Sequence, residues 1–103
     1  MTRLRDLASV VRSKNAGPLL LTLDVMLPDA DRYGRVLSSG VLAPQAIAAL
    51  YGVPTAEVET IEHAAIHTVK VTMRRPVRAG DPDDTDLYGA QMYVPLLDLE
   101  VPE

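Results

Sequence analysis

The apolar positions of this chain form two patterns that predict β-strands. Residues 19–26 are the longest apolar run, LLLTLDVM, and their length and bounds are typical of a buried strand. Residues 64–75 alternate apolar and polar side chains with a period of two, so one face should lie in the core and the other in solvent or at an interface. Asp24 is a single carboxylate late in the first strand, and His67 falls on the apolar face of the second.

Spacings of three and four predict helices elsewhere. The apolar positions of residues 4–11 indicate a short amphipathic helix, which should end at residues 15–18, where Gly17 permits a positive φ and Pro18 cannot continue a helix. Residues 28–40 predict a second helix, and residues 44–52 a third that closes at a glycine. Residues 55–59 predict one or two further helical turns.

The last third of the chain predicts a loop and two strands. The loop covers residues 77–85, a third strand follows at residues 88–93, and residues 97–101 alternate as an edge strand would. We expect a single α+β domain over residues 1–103, with an antiparallel or mixed sheet and helices mainly on one face. A ferredoxin-like plait or a relative of it suits this order of elements.

Composition and charge exclude several classes of protein. The net charge is -4, which argues against a nucleic-acid partner because phosphate contacts need a basic surface. There is no cysteine, hence no disulfide framework and no thiolate metal site. No apolar run is long enough to span a bilayer, and no signal peptide is evident, so we expect a cytoplasmic protein without a membrane partner.

The segment RSKNAGP at residues 12–18 is the main candidate for a binding site. Arg12 and Lys14 bring two cations, Ser13 and Asn15 bring polar side chains, and the backbone near Gly17 would offer N–H donors. These residues would bind an anion, either a carboxylate or a phosphate of the CoA type. The alternative is a helix C-terminus with solvated cations.

Three other groups of polar residues are candidates for function. Four aspartates lie within residues 81–86, but they lack the pattern of a calcium loop, and turn formation is the favoured interpretation. His63 and His67 would lie too far apart along a strand to share a metal ion, so no metal site is expected. Lys70, Thr72 and Arg74 share the polar face of their strand, which would face solvent, a substrate or a partner.

Asp24 and His67 are the candidate catalytic residues. If His67 reaches a pocket near Asp24, it would serve as a general acid or base; the favoured alternative is a histidine buried in the core with its hydrogen bonds satisfied. The sequence has no nucleophile elbow, no dinucleotide-binding glycine triplet and no His-Glu-X-X-His motif, so a self-contained hydrolase is not expected.

Motifs spread over nearly the whole chain resemble those of a family of small bacterial and fungal proteins, the domain of unknown function 4387. The matching segments are RSKNAGP at 12–18, LTLD at 21–24, KVT at 70–72 with Arg75-Pro76, Gly80-Asp81, DTD at 84–86, YGAQ at 88–91 and Pro95-Leu96. Residues 92–94 depart from the more polar version of this family. Members occur beside or fused to proteins similar to the acyclic terpene utilisation A protein, which often end in a small ferredoxin-like domain.

The resemblance implies a small subunit or companion of a larger catabolic protein. That partner class is associated with hydration or lyase chemistry on acyl-CoA or hydroxy acids, so a CoA thioester is a possible substrate and no cofactor is implied. Asp86, Tyr88 and Gln91 would join the anion-binding segment in a composite site. Two alternatives stay open: a structural or oligomerising module without a catalytic role, and a small enzyme that acts as a homo-oligomer.

Overall fold

The computed structural model describes residues 2–17, 19–74 and 93–102. Six strands and three α-helices are present in these ranges. The strands are β1 (Thr2–Arg3), β2 (Val10–Asn15), β3 (Leu20–Met26), β4 (Val58–His63), β5 (Thr68–Arg74) and β6 (Glu100–Val101); the helices are α1 (Leu4–Leu7), α2 (Ala30–Ser39) and α3 (Pro44–Tyr51). Short 3₁₀ turns cover Thr55–Glu57, Ala64–Ile66 and Val94–Asp98.

Four strands form the main sheet in the order β2-β3-β5-β4, and every neighbouring pair is antiparallel. The sheet consists of two hairpins joined by α2 and α3, so that β3 and β5 meet at its centre. The expected α+β class is confirmed. The ferredoxin-like plait is not confirmed, because α2 and α3 follow one another between the hairpins, whereas the plait alternates β-α-β-β-α-β.

The core lies between the sheet and the helices. Leu21, Leu23 and Val25 of β3 pair with Met73, Val71 and Val69 of β5, and all six side chains are fully buried or nearly so. Val36 of α2 and Ile47 of α3 are fully buried in the same cluster. Thr60 of β4 donates its hydroxyl to the carbonyl of Leu42 in the loop between these helices. The helices therefore cover one face of the sheet, as expected.

The two longer helices begin and end where the sequence predicts. Asp29 caps α2, since its carboxylate accepts a hydrogen bond of 2.8 Å from the backbone N–H of Arg32. Gly40 ends α2 with φ 75°, and Pro44 occupies the first position of α3. These boundaries depend on the residues at the helix ends themselves, so they can be predicted from the sequence.

The predicted first helix is mostly wrong. α1 covers only Leu4–Leu7, and the chain then enters β2 at Val10. All six residues of β2 pair with β3, from Val10 opposite Met26 to Asn15 opposite Leu21. This ladder supplies more hydrogen bonds than one further helical turn, so tertiary pairing overrides the helical spacing.

Two other boundaries differ from the prediction. The 3₁₀ turn that begins at Thr55 covers three residues, and β4 starts at Val58, where the sequence predicts helix. The long predicted strand at residues 64–75 begins instead with the 3₁₀ turn Ala64–Ile66, and β5 starts at Thr68. His67 lies between them with φ 50°, in the left-handed region, and so belongs to the turn of the β4–β5 hairpin.

The C-terminal edge strand is shorter than predicted. Val94–Asp98 forms a 3₁₀ turn, and only Glu100–Val101 is extended, paired with Thr2–Arg3 of β1. The predicted loop at residues 77–85 lies outside the described residues, as does the predicted strand at 88–93 except for Tyr93, which lies in a turn. Within the described ranges, no helix is long and apolar enough to cross a membrane.

Candidate functional site

The segment at residues 12–15 lies on strand β2 and not in a loop after a helix. Its side chains therefore alternate between the two faces of the sheet. Ser13 is buried on the helix side, and Asn15 shares that side. Arg12 and Lys14 are exposed on the opposite side, and Gly17 adopts φ 115° in the turn that follows.

We call the side of the sheet turned away from α2 and α3 the open face. Its rows follow from the strand register, because paired residues share a side. The members are Val10, Arg12 and Lys14 of β2; Leu20, Thr22, Asp24 and Met26 of β3; Thr68, Lys70, Thr72 and Arg74 of β5; and Glu59, Ile61 and His63 of β4.

Arg12 and Asp24 form an ion pair across β2 and β3. The Nε of Arg12 donates to Oδ2 of Asp24 at 3.0 Å. The Asp24 side chain is only 12% exposed, whereas that of Arg12 is 61% exposed. Lys70 lies opposite Asp24 on the other neighbouring strand, so the carboxylate stands between two cations in one row. This placement explains how the sheet tolerates a carboxylate in a central strand.

Lys14 and Lys70 are two further cations of the open face. Among the described residues, neither makes an ion pair within 4.0 Å. Thr22 and Thr72 lie in the row of Lys14, and the buried Thr22 donates its hydroxyl to the backbone carbonyl of Lys14 at 3.3 Å. Two ammonium groups on one face would bind an anion such as a carboxylate or a phosphate. The open face is thus locally cationic in a chain whose net charge is -4.

The two candidate catalytic residues do not meet. Asp24 faces the open side, whereas the ring of His67 lies 6.0 Å from that of Tyr33, a buried residue of α2. The backbone carbonyl of His67 accepts a hydrogen bond from Leu27, which fixes the hairpin turn beside the end of β3. The sheet separates the two side chains, so this structure offers no acid–base pair between them.

Tyr33 has a buried hydroxyl with no hydrogen-bond partner among the described residues. Burial, followed by the negative charge of Glu62, raises the pKa of Tyr33 above its ordinary value. An unpaired buried hydroxyl costs free energy, because it has lost water and gained no partner.

Replacing Tyr33 by phenylalanine should therefore raise the free energy of unfolding, by about 1 kcal/mol. The raised pKa means that the folded chain holds this proton after the unfolded chain has lost it. Stability should then fall as the pH rises above about 10, and fall less steeply in the variant. Urea unfolding at neutral and alkaline pH measures both effects. A variant less stable than the parent at neutral pH would show that the hydroxyl has a partner.

The remaining candidates divide between the helix side and the undescribed part of the chain. The hydroxyl of Ser13 accepts the backbone N–H of Tyr93 at 3.0 Å, which ties β2 to the C-terminal segment. Asp86, Tyr88 and Gln91 lie outside the described residues. No cluster of three or more His, Cys, Asp or Glu side chains suited to a metal ion occurs within the described ranges.

A cleft of about 300 Å³ lies on the helix side, between the end of α2, the start of α3 and β4. Its lining includes Val36, Leu42 and Pro44, and Glu62 is its one charged member within the described ranges. A negative, mainly apolar cleft does not favour an anion. The cationic open face is therefore the better candidate for the anion site.

Sequence reasoning did not place Lys70 and Thr72 in the same site as Lys14. The period of two shows that Lys70 and Thr72 share a face of their strand. Only the pairing of β3 with both β2 and β5 shows that Lys14 lies on the same face of the sheet.

The family model described as Domain of unknown function (DUF4387) matches residues 4–100 of the chain. This range contains every strand of the main sheet and all the described members of the open face. No curated protein and no solved structure matches the chain.

Proposed function

The chain belongs to the family described as Domain of unknown function (DUF4387), and we propose that it acts as a small subunit that brings an anion-binding sheet face to a composite site. The larger partner would be a protein of the acyclic-terpene-utilisation type. The reaction would be a hydration or lyase step on an acyl-CoA thioester or a hydroxy acid. The observation that carries the proposal is the pair of ammonium groups on Lys14 and Lys70, without carboxylate partners among the described residues.

The charged side chains of the open face are suited to binding a substrate, but they do not supply all the groups that catalysis needs. Asp24 is the buried carboxylate of the open face, and one of its two oxygens accepts a hydrogen bond from Arg12, which favours the charged carboxylate as a fixed partner of Arg12. We therefore infer that Lys14 and Lys70 hold the anionic group of the substrate, while Arg12 and Asp24 hold each other in place. A partner protein would supply the acid or base that acts on the substrate.

Apolar side chains around the cations support a partner on this face. Val10, Leu20 and Ile61 belong to the open face, and they are 42%, 44% and 38% exposed. An apolar rim of this kind gives a protein partner surface to bury, and the charged centre would then be shielded from water. Shielding strengthens the attraction between ammonium groups and an anion.

Co-expression with the acyclic-terpene-utilisation-like protein tests the proposal. We expect a stable heteromeric complex by size-exclusion chromatography, and turnover of members of a panel of acyl-CoA thioesters and hydroxy acids. Ile61→Glu should weaken the complex because it puts a charge on the rim, whereas Lys14→Gln should leave the complex intact and reduce turnover.

Three results would contradict the proposal. If the chain forms no complex with this partner and turns over the panel alone, it is a stand-alone enzyme. One that forms a homo-oligomer without activity would be a structural module. Turnover that is unchanged in the Lys14→Gln complex would remove the anion-binding role.

A further inference from the structure

The end of the open face next to the β2–β3 turn carries a cavity of about 550 Å³. Leu20 pairs with Arg74, Ala16 donates its N–H to the carbonyl of Leu20, and Glu57 directly precedes the pair Val58–Met73. Leu20 and Arg74 form the last row of the open face, and Ala16 and Glu57 lie beside this row. The described residues that line the cavity are Ala16, Gly17, Leu19, Leu20, Glu57 and Arg74.

The wall of this cavity near the turn is apolar. Leu19 and Leu20 are adjacent in sequence, and both remain more than two-fifths exposed. On the far side, Arg74 and Glu57 form a long ion pair of 3.9 Å, and the Arg74 side chain is 60% exposed. The aliphatic part of an arginine commonly lies along an apolar surface, so Arg74 can also contribute to the apolar wall.

Lys14 lies one row along the sheet from the cavity residue Leu20, and Lys70 lies two rows from it. Along β3, Leu20 is two residues from Thr22 and four from Asp24, and each step of two residues covers about 7 Å. Lys14 pairs with Thr22, and Lys70 pairs with Asp24. An elongated molecule lying along β3 would therefore meet ammonium groups at one end and the two leucines at the other, over about 7 to 14 Å.

We propose that the open face binds an amphiphilic carboxylate, with its head group on Lys14 and Lys70 and its apolar tail in the cavity beside Leu19 and Leu20. The inference rests on the proposed function for the head-group site and adds the class of ligand. The tail gains from burial of apolar surface, and the head gains from charge-assisted hydrogen bonds.

Calorimetric titration with acetate, butyrate, hexanoate and octanoate tests this inference. Affinity should rise along the series by about fourfold for each methylene that the cavity buries. Hexanol carries the same length of tail without the charge and should bind much more weakly than hexanoate.

Matched variants separate the head site from the tail site. Leu20→Asn should flatten the dependence on chain length and leave acetate binding unchanged, and Leu20 is exposed enough for the fold to persist. Leu50→Asn, at a similarly exposed leucine on α3, should change nothing. Lys14→Gln should weaken every carboxylate of the series by a similar factor.

The outcomes distinguish this inference from the proposed function. Equal affinities for the four carboxylates, all lowered by Lys14→Gln, would overturn the tail site and leave the anion site standing. A length dependence that survives Leu20→Asn would also overturn the tail site. If Lys14→Gln leaves carboxylate binding unchanged, or if no carboxylate binds, both the tail site and the anion site are overturned.

Discussion

Replacing Lys14 and Lys70 together by glutamine is expected to weaken the binding of octanoate by about 100-fold. A hydrogen bond to a charged group contributes about 1.5–3 kcal/mol, and each 1.4 kcal/mol corresponds to a factor of ten in Kd. Two such bonds would give a larger loss, but Lys14 is exposed and Lys70 half-buried, so water and salt screen part of the effect. Isothermal titration calorimetry at low and moderate salt measures the change.

Two single variants serve as controls for this prediction. Arg12→Gln should reduce affinity much less, because the Arg12 guanidinium is already bonded to Asp24. Arg32→Gln removes the same charge from α2, which lies on the other side of the sheet, and should leave affinity unchanged. If all the variants lose affinity equally, the effect comes from net charge and the site is not on the open face.

Leu21→Ala is expected to lower the free energy of unfolding by about 2–5 kcal/mol. The Leu21 side chain is fully buried at the centre of the core, opposite Met73 of β5. Its removal takes away apolar burial and leaves a cavity that the neighbouring strands fill only in part. Urea unfolding followed by circular dichroism measures the loss.

The adjacent residue provides the matched comparison. Leu20 carries the same side chain on the same strand but points to the open face, where it is 44% exposed. Leu20→Ala should therefore cost less than about 1 kcal/mol. A large loss at Leu20 together with a small loss at Leu21 would show that β3 presents the other face to the core.

The elements that the sequence predicted well are those whose signals are local. The cap at Asp29, the left-handed glycines at positions 40 and 52, and Pro44 at a first helical position depend on side chains next to the backbone they affect. The strand at residues 19–26 was also predicted to within one residue, because its apolar run is long and bounded by a turn.

The elements that the sequence missed depend on partners far along the chain. β2 contains the helical spacing of Val10 and Val11, and only its ladder with β3 makes it a strand. β4 carries Glu59 and Glu62 beside three β-branched residues. It forms a strand because its backbone pairs with β5 along its whole length. His67 follows the period of two, yet the hairpin needs a turn at that position.

The candidate site shows the same division. Residue types suffice to predict an anion-binding segment at residues 12–18, and a period of two predicts a polar face on the strand of Lys70 and Thr72. They do not specify that Asp24 bonds to Arg12, or that Lys70 and Lys14 flank the same central strand, because both facts depend on register.

The most direct test of the open face as the binding site is a titration of ¹⁵N-labelled protein with octanoate, followed by amide NMR shifts. We expect the largest shifts at Lys14, Leu20, Thr22 and Lys70, with small shifts at Val36 and Leu42 in the helix-side cleft. Shifts concentrated in that cleft, or no shifts on β2, β3 and β5, would contradict the assignment of an anion-binding face.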